Sequence, residues 1–168
     1  MQRGWNKSIK NKAKTSKEKY RLSMAGEYGV CAELSKRGFN ASITFGNAKA
    51  TDVVIILENK SFRRIEVKTT RSTRFVTGFF QKYYDKMQTV HPDYWILVQI
   101  DAENVSHYFI LTHEEMGKVQ MDRNEMDDWE RIEGCDNVLL RDLEPFKEKW
   151  ETIESIKEVT ETLEGSRQ

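Results

Sequence analysis

Three observations predict an α/β domain, a mixed central β-sheet flanked by helices. A helix-periodic stretch precedes the first strands, two apolar segments joined by a turn signal follow, and two more buried runs lie beyond them. With 168 residues, 38% of them hydrophobic and 32% charged, the chain is long enough for one real core and rather polar outside it. Its longest apolar runs, Val53 to Leu57 and Tyr94 to Val98, fall far short of the ~20 residues of a membrane-crossing helix. No basic stretch followed by an apolar one opens the chain as a secretion signal would, so a cytoplasmic, membrane-free setting is expected. Cys31 and Cys135 form no C-x-x-C pair and are read as reduced thiols.

Zero net charge hides a polarised chain. Residues 1–100 hold 19 Lys and Arg against 8 Asp and Glu, and residues 101–168 hold the reverse, 8 against 19. A balance of +11 in the first part suits a polyanionic partner, although the two parts could also neutralise each other within the fold or across a dimer. Three regions follow: a basic arm over 1–22, an α/β core over 23–145 and an acidic C-terminal helix over 146–168.

The arm carries eight basic residues against the single acid Glu18 and few apolar ones, the composition of a mobile segment that tracks phosphates or is simply solvated. Ser23 as N-cap and Gly38 just past the end enclose a helix over 24–37. Its apolar stripe uses Met24, Val30, Cys31 and Leu34, and Glu27 falls on that stripe, where a carboxylate is costly unless something meets it. Lys36 and Arg37 complement the helix dipole.

"ASITF" alternates weakly, and "DVVIIL" reads as a strand covered on both faces. "ENKS" is a turn, and "FRRIEVKTT" returns with Ile65 and Val67 alternating with Arg64, Glu66 and Lys68, whose side is expected to be wet. The aromatic and basic stretch 71–92 gives no clear element. "DYWILVQI" and "HYFILT" are two more buried strands. Thr112 and Glu115 have capping-box spacing for a helix beginning at His113, ahead of an acid-rich loop over 121–134; the region after 113 is acidic enough to repel a polyanion and so is expected away from the substrate face. Phe146, Trp150, Ile153, Ile156 and Leu163 form a last helical stripe, docked on the same chain or, alternatively, on a second copy in a homodimer. His91, His107 and His113 are scattered and read as structural or surface residues.

Parity decides whether Asp52 meets Glu66 and Lys68. A two-residue turn at Asn59-Lys60 would set Asp52 opposite Val67, facing away from Glu66. An odd connection or a bulge sets it beside Glu66 or Lys68. If the odd connection holds, with Glu27 against the same end of the sheet, three carboxylates converge. Like charges 4 Å apart repel by about 4 kcal/mol at an effective dielectric near 20, and a divalent cation or a proton relieves them. Oxygen ligands suit Mg²⁺ or Mn²⁺ rather than Zn²⁺. A lysine beside the metal would orient water or offset charge on a phosphoryl group. Arg63, Arg64, Arg71 and Arg74 flank these residues, as phosphate contacts or as a solvated face.

In order, Glu27 on a helix, Asp52 opening a strand and Glu66-Val67-Lys68 on the next resemble the PD-(D/E)xK nuclease superfamily, which includes restriction endonucleases and archaeal Holliday-junction resolvases. The resemblance spans about residues 23–112. It implies a restriction-endonuclease-like core and a Mg²⁺-dependent endonuclease acting on DNA, with RNA as an alternative substrate and a catalytically silent binding module of the same fold as an alternative function. Asp52 and Glu66 would ligate the metal with the Val67 carbonyl, Lys68 would be the catalytic lysine, and Glu27 would support the site. Thr51 stands where the superfamily carries proline, and nothing after residue 113 matches its pattern.

Overall fold

The computed structural model describes residues 15–44, 51–80, 90–125 and 136–156. The first helix, α1 (Ser16–Lys36), begins at Ser16 rather than Met24. Thr15 is its N-cap, accepting the Glu18 N–H at 3.2 Å while the Glu18 carboxylate accepts the Thr15 N–H at 2.7 Å. This reciprocal box satisfies two orphan amides at once and so outcompetes Ser23, whose hydroxyl donates to Glu27 at 3.2 Å instead. Residues 16–22, expected in a mobile arm, are therefore helical. Residues 1–14 of that arm lie outside the described residues. Gly38 takes the left-handed position past the helix end, with φ 79°, as its placement predicts.

Among the described residues seven strands follow: β1 (Asn40–Ile43), β2 (Val53–Ile56), β3 (Phe62–Thr70), β4 (Arg74–Val76), β5 (Tyr94–Ile100), β6 (Ser106–Thr112) and β7 (Asn137–Leu139). Five of them make one mixed sheet in the order β1-β2-β3-β5-β6, antiparallel except for the parallel β3–β5 pair. β4 and β7 pair with each other in a small second sheet. The helix α2 (His113–Asn124) starts on the expected Thr112–Glu115 capping box. It absorbs the first residues of the predicted acidic loop and stops at Glu125, with φ 54°.

Each face of the sheet has its own core. On one, Val30 and Leu34 of α1 cover Val53, Ile55, Ile65, Val67, Ile96, Val98 and Ile110, joined by Trp150, Ile153 and Ile156 from the C-terminal helical turn 151–156. On the other, Trp95, Leu97, Phe109 and Leu111 meet Met116 of α2, Phe75 of β4, Val138 of β7 and Leu143 of the 3-10 segment Leu140–Phe146. Three expectations change here. β2 is covered on one face only, for Ile56 remains 41% exposed. Of the chain after 113, expected away from the substrate face, α2, β7 and the 3-10 segment pack on the face to which Glu66 and Lys68 point, over β5 and β6, whereas 126–135 of the acidic loop lie outside the described residues. The expected helix from 146 is broken by Glu148, with φ 52°, so Phe146 joins the second core while Trp150, Ile153 and Ile156 dock on the first. Docking within the chain is thus observed for those three, and Leu163 lies outside the described residues. Arg37 secures the junction, pairing with Glu33 at 2.7 Å and Glu154 at 3.5 Å while its guanidinium lies 4.2 Å over the Trp150 ring.

Candidate active site

The β2–β3 connection is odd. Val53 pairs with Ile65 and Ile56 with Phe62, and the Leu57 amide donates to Ser61 at 2.9 Å, leaving Glu58-Asn59-Lys60 as the turn. Lys60 takes φ 66° to close it. This register carries Asp52 to the level of Glu66, the condition that parity set.

β2 then ends, and β3 runs on to Thr70 with no strand among the described residues paired to that edge beyond Ile65. Asp52 grips the edge twice. Its amide donates to the Ile65 carbonyl at 2.9 Å, and its Oδ2 accepts the Val67 N–H at 2.7 Å. The main chain on both sides of Glu66 is thereby fixed. Just upstream, the Thr44 hydroxyl donates to the Thr51 carbonyl.

Glu66 is not on a wet face. It is only 3% exposed, lying level with the buried Trp95 on the neighbouring strand, and the sequence could not show that layer. Lys68 meets the cost of burying the carboxylate, its ammonium 2.6 Å from Glu66 Oε1. Glu27 comes from α1, on the other side of the sheet, and shares the field of this group. Partial burial raises its pKa above the ordinary carboxylate value, and so do the charges of Asp52 and, less strongly, Glu66; the Ser23 hydroxyl and Lys68 oppose them.

α1 lies close to β3 because residue 26 is glycine: a Cβ there would stand 1.8 Å from Thr69 Oγ1, which is itself buried without a hydrogen-bond partner. The sequence reading missed Gly26, although a glycine directly before a stripe carboxylate was a usable signal. It also missed a ring cluster on the far side of Trp95. Trp95 Nε1 donates to His113 Nδ1 at 3.1 Å, and His91 stacks on His113 with centroids 4.3 Å apart. Two of the three "scattered" histidines are thus together. Burial, with the His91 charge, depresses the His113 pKa to about 4. His107 instead pairs with Asp101 at 3.0 Å.

The four arginines do not form one patch. Arg64 shares the face of Glu66, lies 4.7 Å over the Phe62 ring, and has its amide held by Asp93 at 2.6 Å. Arg63 faces the α1 side. Arg71 is occupied by the β5–β6 turn, donating to the Asp101 carbonyl at 3.1 Å and Asn104 at 2.8 Å. Arg74, on β4, is exposed beside Lys68.

Among the described residues, no group of three or more His, Cys, Asp or Glu side chains is gathered closely enough to hold a metal ion. Two strand carboxylates and a main-chain carbonyl remain as donors. That set fits Mg²⁺, which keeps several waters and takes one or two carboxylates plus substrate oxygens, better than a closed Zn²⁺ site. Among the described residues no helix is long and apolar enough to cross a membrane, and Cys31 is a free thiol; Cys135 lies outside them.

No protein-family model matches the sequence, and no curated protein does. Among solved structures, the chain is similar to that of a bacterial homing endonuclease, I-Ssp6803I, with a TM-score of 0.51 at 10% sequence identity, over 90% of this chain and 99% of that one. At that identity the likeness is one of fold: a five-stranded mixed sheet flanked by helices, shared with an endonuclease.

Proposed function

We propose that the protein is a Mg²⁺-dependent endonuclease of the PD-(D/E)xK type that hydrolyses DNA phosphodiesters. One observation carries this reading: the odd β2–β3 turn sets Asp52 beside Glu66 and Lys68 at the edge of β3 beyond the end of β2, within the field of Glu27. The fold shared with a homing endonuclease supports it. Asp52 and Glu66, with the Val67 carbonyl, would hold Mg²⁺ or Mn²⁺, which when bound polarises the phosphoryl oxygen and acidifies water. Asp52 keeps its carboxylate and the Val67 peptide in fixed relation. Lys68, paired with Glu66, sits where its ammonium can orient the attacking water or offset charge growing on the phosphoryl oxygens. Glu27, with its raised pKa, is suited to share a proton with that water.

Cleavage of supercoiled plasmid in Mg²⁺ or Mn²⁺ tests the proposal, comparing the native chain with Asp52→Asn and Lys68→Ala. Nicking that is lost in both variants and under EDTA is the expected result. A native chain that shifts DNA on a gel yet leaves it intact with every metal is a binding module instead. Cleavage of structured RNA but not DNA would reassign the substrate.

A further inference from the structure

A cavity of about 320 Å³ opens next to Lys68, walled by Lys68, Thr70, Ser72 and Arg74 and closed by Phe75 and Val76. Among the described residues no acid lines it. Lys68 belongs both to this wall and to the Glu66 ion pair, so one side chain links the cavity to the carboxylate group. The turn between β3 and β4 is stiffened from within. Thr70 and Ser72 hydroxyls lie 3.0 Å apart, the Ser72 hydroxyl donates to the Arg74 carbonyl at 3.1 Å, and the Arg74 amide donates back to Ser72 at 3.2 Å. Arg74 also pairs with Leu139 across β4–β7. Its main chain is therefore fixed while its guanidinium makes no hydrogen bond or ion pair with any of the described residues. Arg37 and Arg123, by contrast, each meet a carboxylate. A fixed stem and an uncommitted planar cation describe a group kept for an external anion.

We infer that this cavity seats a phosphodiester adjoining the reacting one on the same polynucleotide strand, with Arg74 as its ligand. The inference rests on the nuclease reading and adds a positioning contact to it. Holding the neighbouring phosphate fixes the strand's register over Lys68, whereas contacts of this type carry no base preference.

The test is binding of a fluorescein-labelled DNA duplex to the full chain, with Ca²⁺ replacing Mg²⁺, over a series of salt concentrations. Native protein is compared with Arg74→Ala, Arg74→Lys and Lys118→Ala, the last a loss of charge on α2 at a lysine paired with Asp122 at 3.0 Å. Arg74→Ala is expected to reduce the slope of log K against log salt by about 0.9, the loss of one phosphate contact, with Lys restoring it and Lys118→Ala leaving it unchanged. In Mg²⁺, Arg74→Ala should raise KM and leave kcat. If its slope and KM equal those of native and Lys118→Ala, the cavity holds no phosphate while the endonuclease reading stands. If native protein binds duplex without cutting, the endonuclease reading falls and the slopes still decide the cavity. A native chain that binds no duplex overturns the inference outright.

Discussion

At Asp52 the main chain and the carboxylate both bond β3, so a substitution there disturbs structure and chemistry together. Asp52→Ala strands the amide of Val67, a residue only 3% exposed, which costs about 1–3 kcal/mol. Asp52→Asn keeps an oxygen to accept that N–H and should recover most of this stability. Urea denaturation separates the two effects: equal losses in both variants would mean that the hydrogen bond is not what holds the edge. Glu27 gives a prediction with a definite sign. Its folded pKa is raised, so ionised Glu27 costs stability above that pKa; the cost shrinks as pH falls through it and is gone only below the ordinary value of 4.5, where both states are protonated. Glu27→Gln retains an acceptor for Ser23. It should melt above the native chain at pH 7 without metal, the difference shrinking as pH falls and disappearing below pH 4.5. A native chain that melts higher at pH 7 would refute the repulsion.

α1 lies close to β3 through Gly26, and this contact also places Glu27. In Gly26→Ala the new methyl meets Thr69 Oγ1, and overpacking of this kind costs about 1–3 kcal/mol. Adding Thr69→Ala removes the obstructing oxygen and should return part of that loss; strictly additive denaturation midpoints would show that the two residues do not collide. At the start of α2, His113 ties the helix to β5 through Trp95. With a folded pKa of about 4 against an ordinary 6.5, the unfolded chain takes up this proton first as pH falls. Stability contributed by neutral His113 is therefore complete above about pH 6.5 and lost progressively down to about pH 4. His113→Gln preserves an acceptor without a titration. Its melting temperature should fall less than the native one between these limits, and identical pH profiles would count against the assignment. The boundaries of these elements were partly legible. The capping box at Thr112 was read correctly because its spacing is local, whereas the equivalent box at Thr15 was hidden within a run of lysines that suggested disorder.

Across the whole molecule, legibility follows sequence separation. The order of Glu27, Asp52, Glu66 and Lys68 and the need for an odd turn could be stated in advance, because alternation and turn length are short-range properties. The burial of Glu66 could not be, for it depends on a layer assembled from Phe75, Phe79 and Phe80 and from residues after 90. Nor could β4, since three residues carry no period and its partner β7 lies more than sixty positions away. A shorter separation, across the β5–β6 hairpin, hid the pairing of His91 with His113, while more than sixty positions separate Arg74 from the strand that anchors it.

The three-residue β4–β7 pairing has a consequence for motion. The acids and the lysine lie within residues 27–68, on α1 and two strands that pair over short loops and face a continuous core. The wall bearing Arg74 hangs on a short ladder closed over a long stretch of chain, whose entropy opposes it. The two parts should therefore open separately, the β3–β4 turn keeping its internal hydrogen bonds, and so the Arg74 stem its form, as it moves in one stiff piece. Amide hydrogens of Phe75 and Val76 are expected to exchange well before those of Ile96 to Val98, and to slow when duplex binds. A strand of nucleic acid could then enter and leave by that side while the carboxylates keep their places.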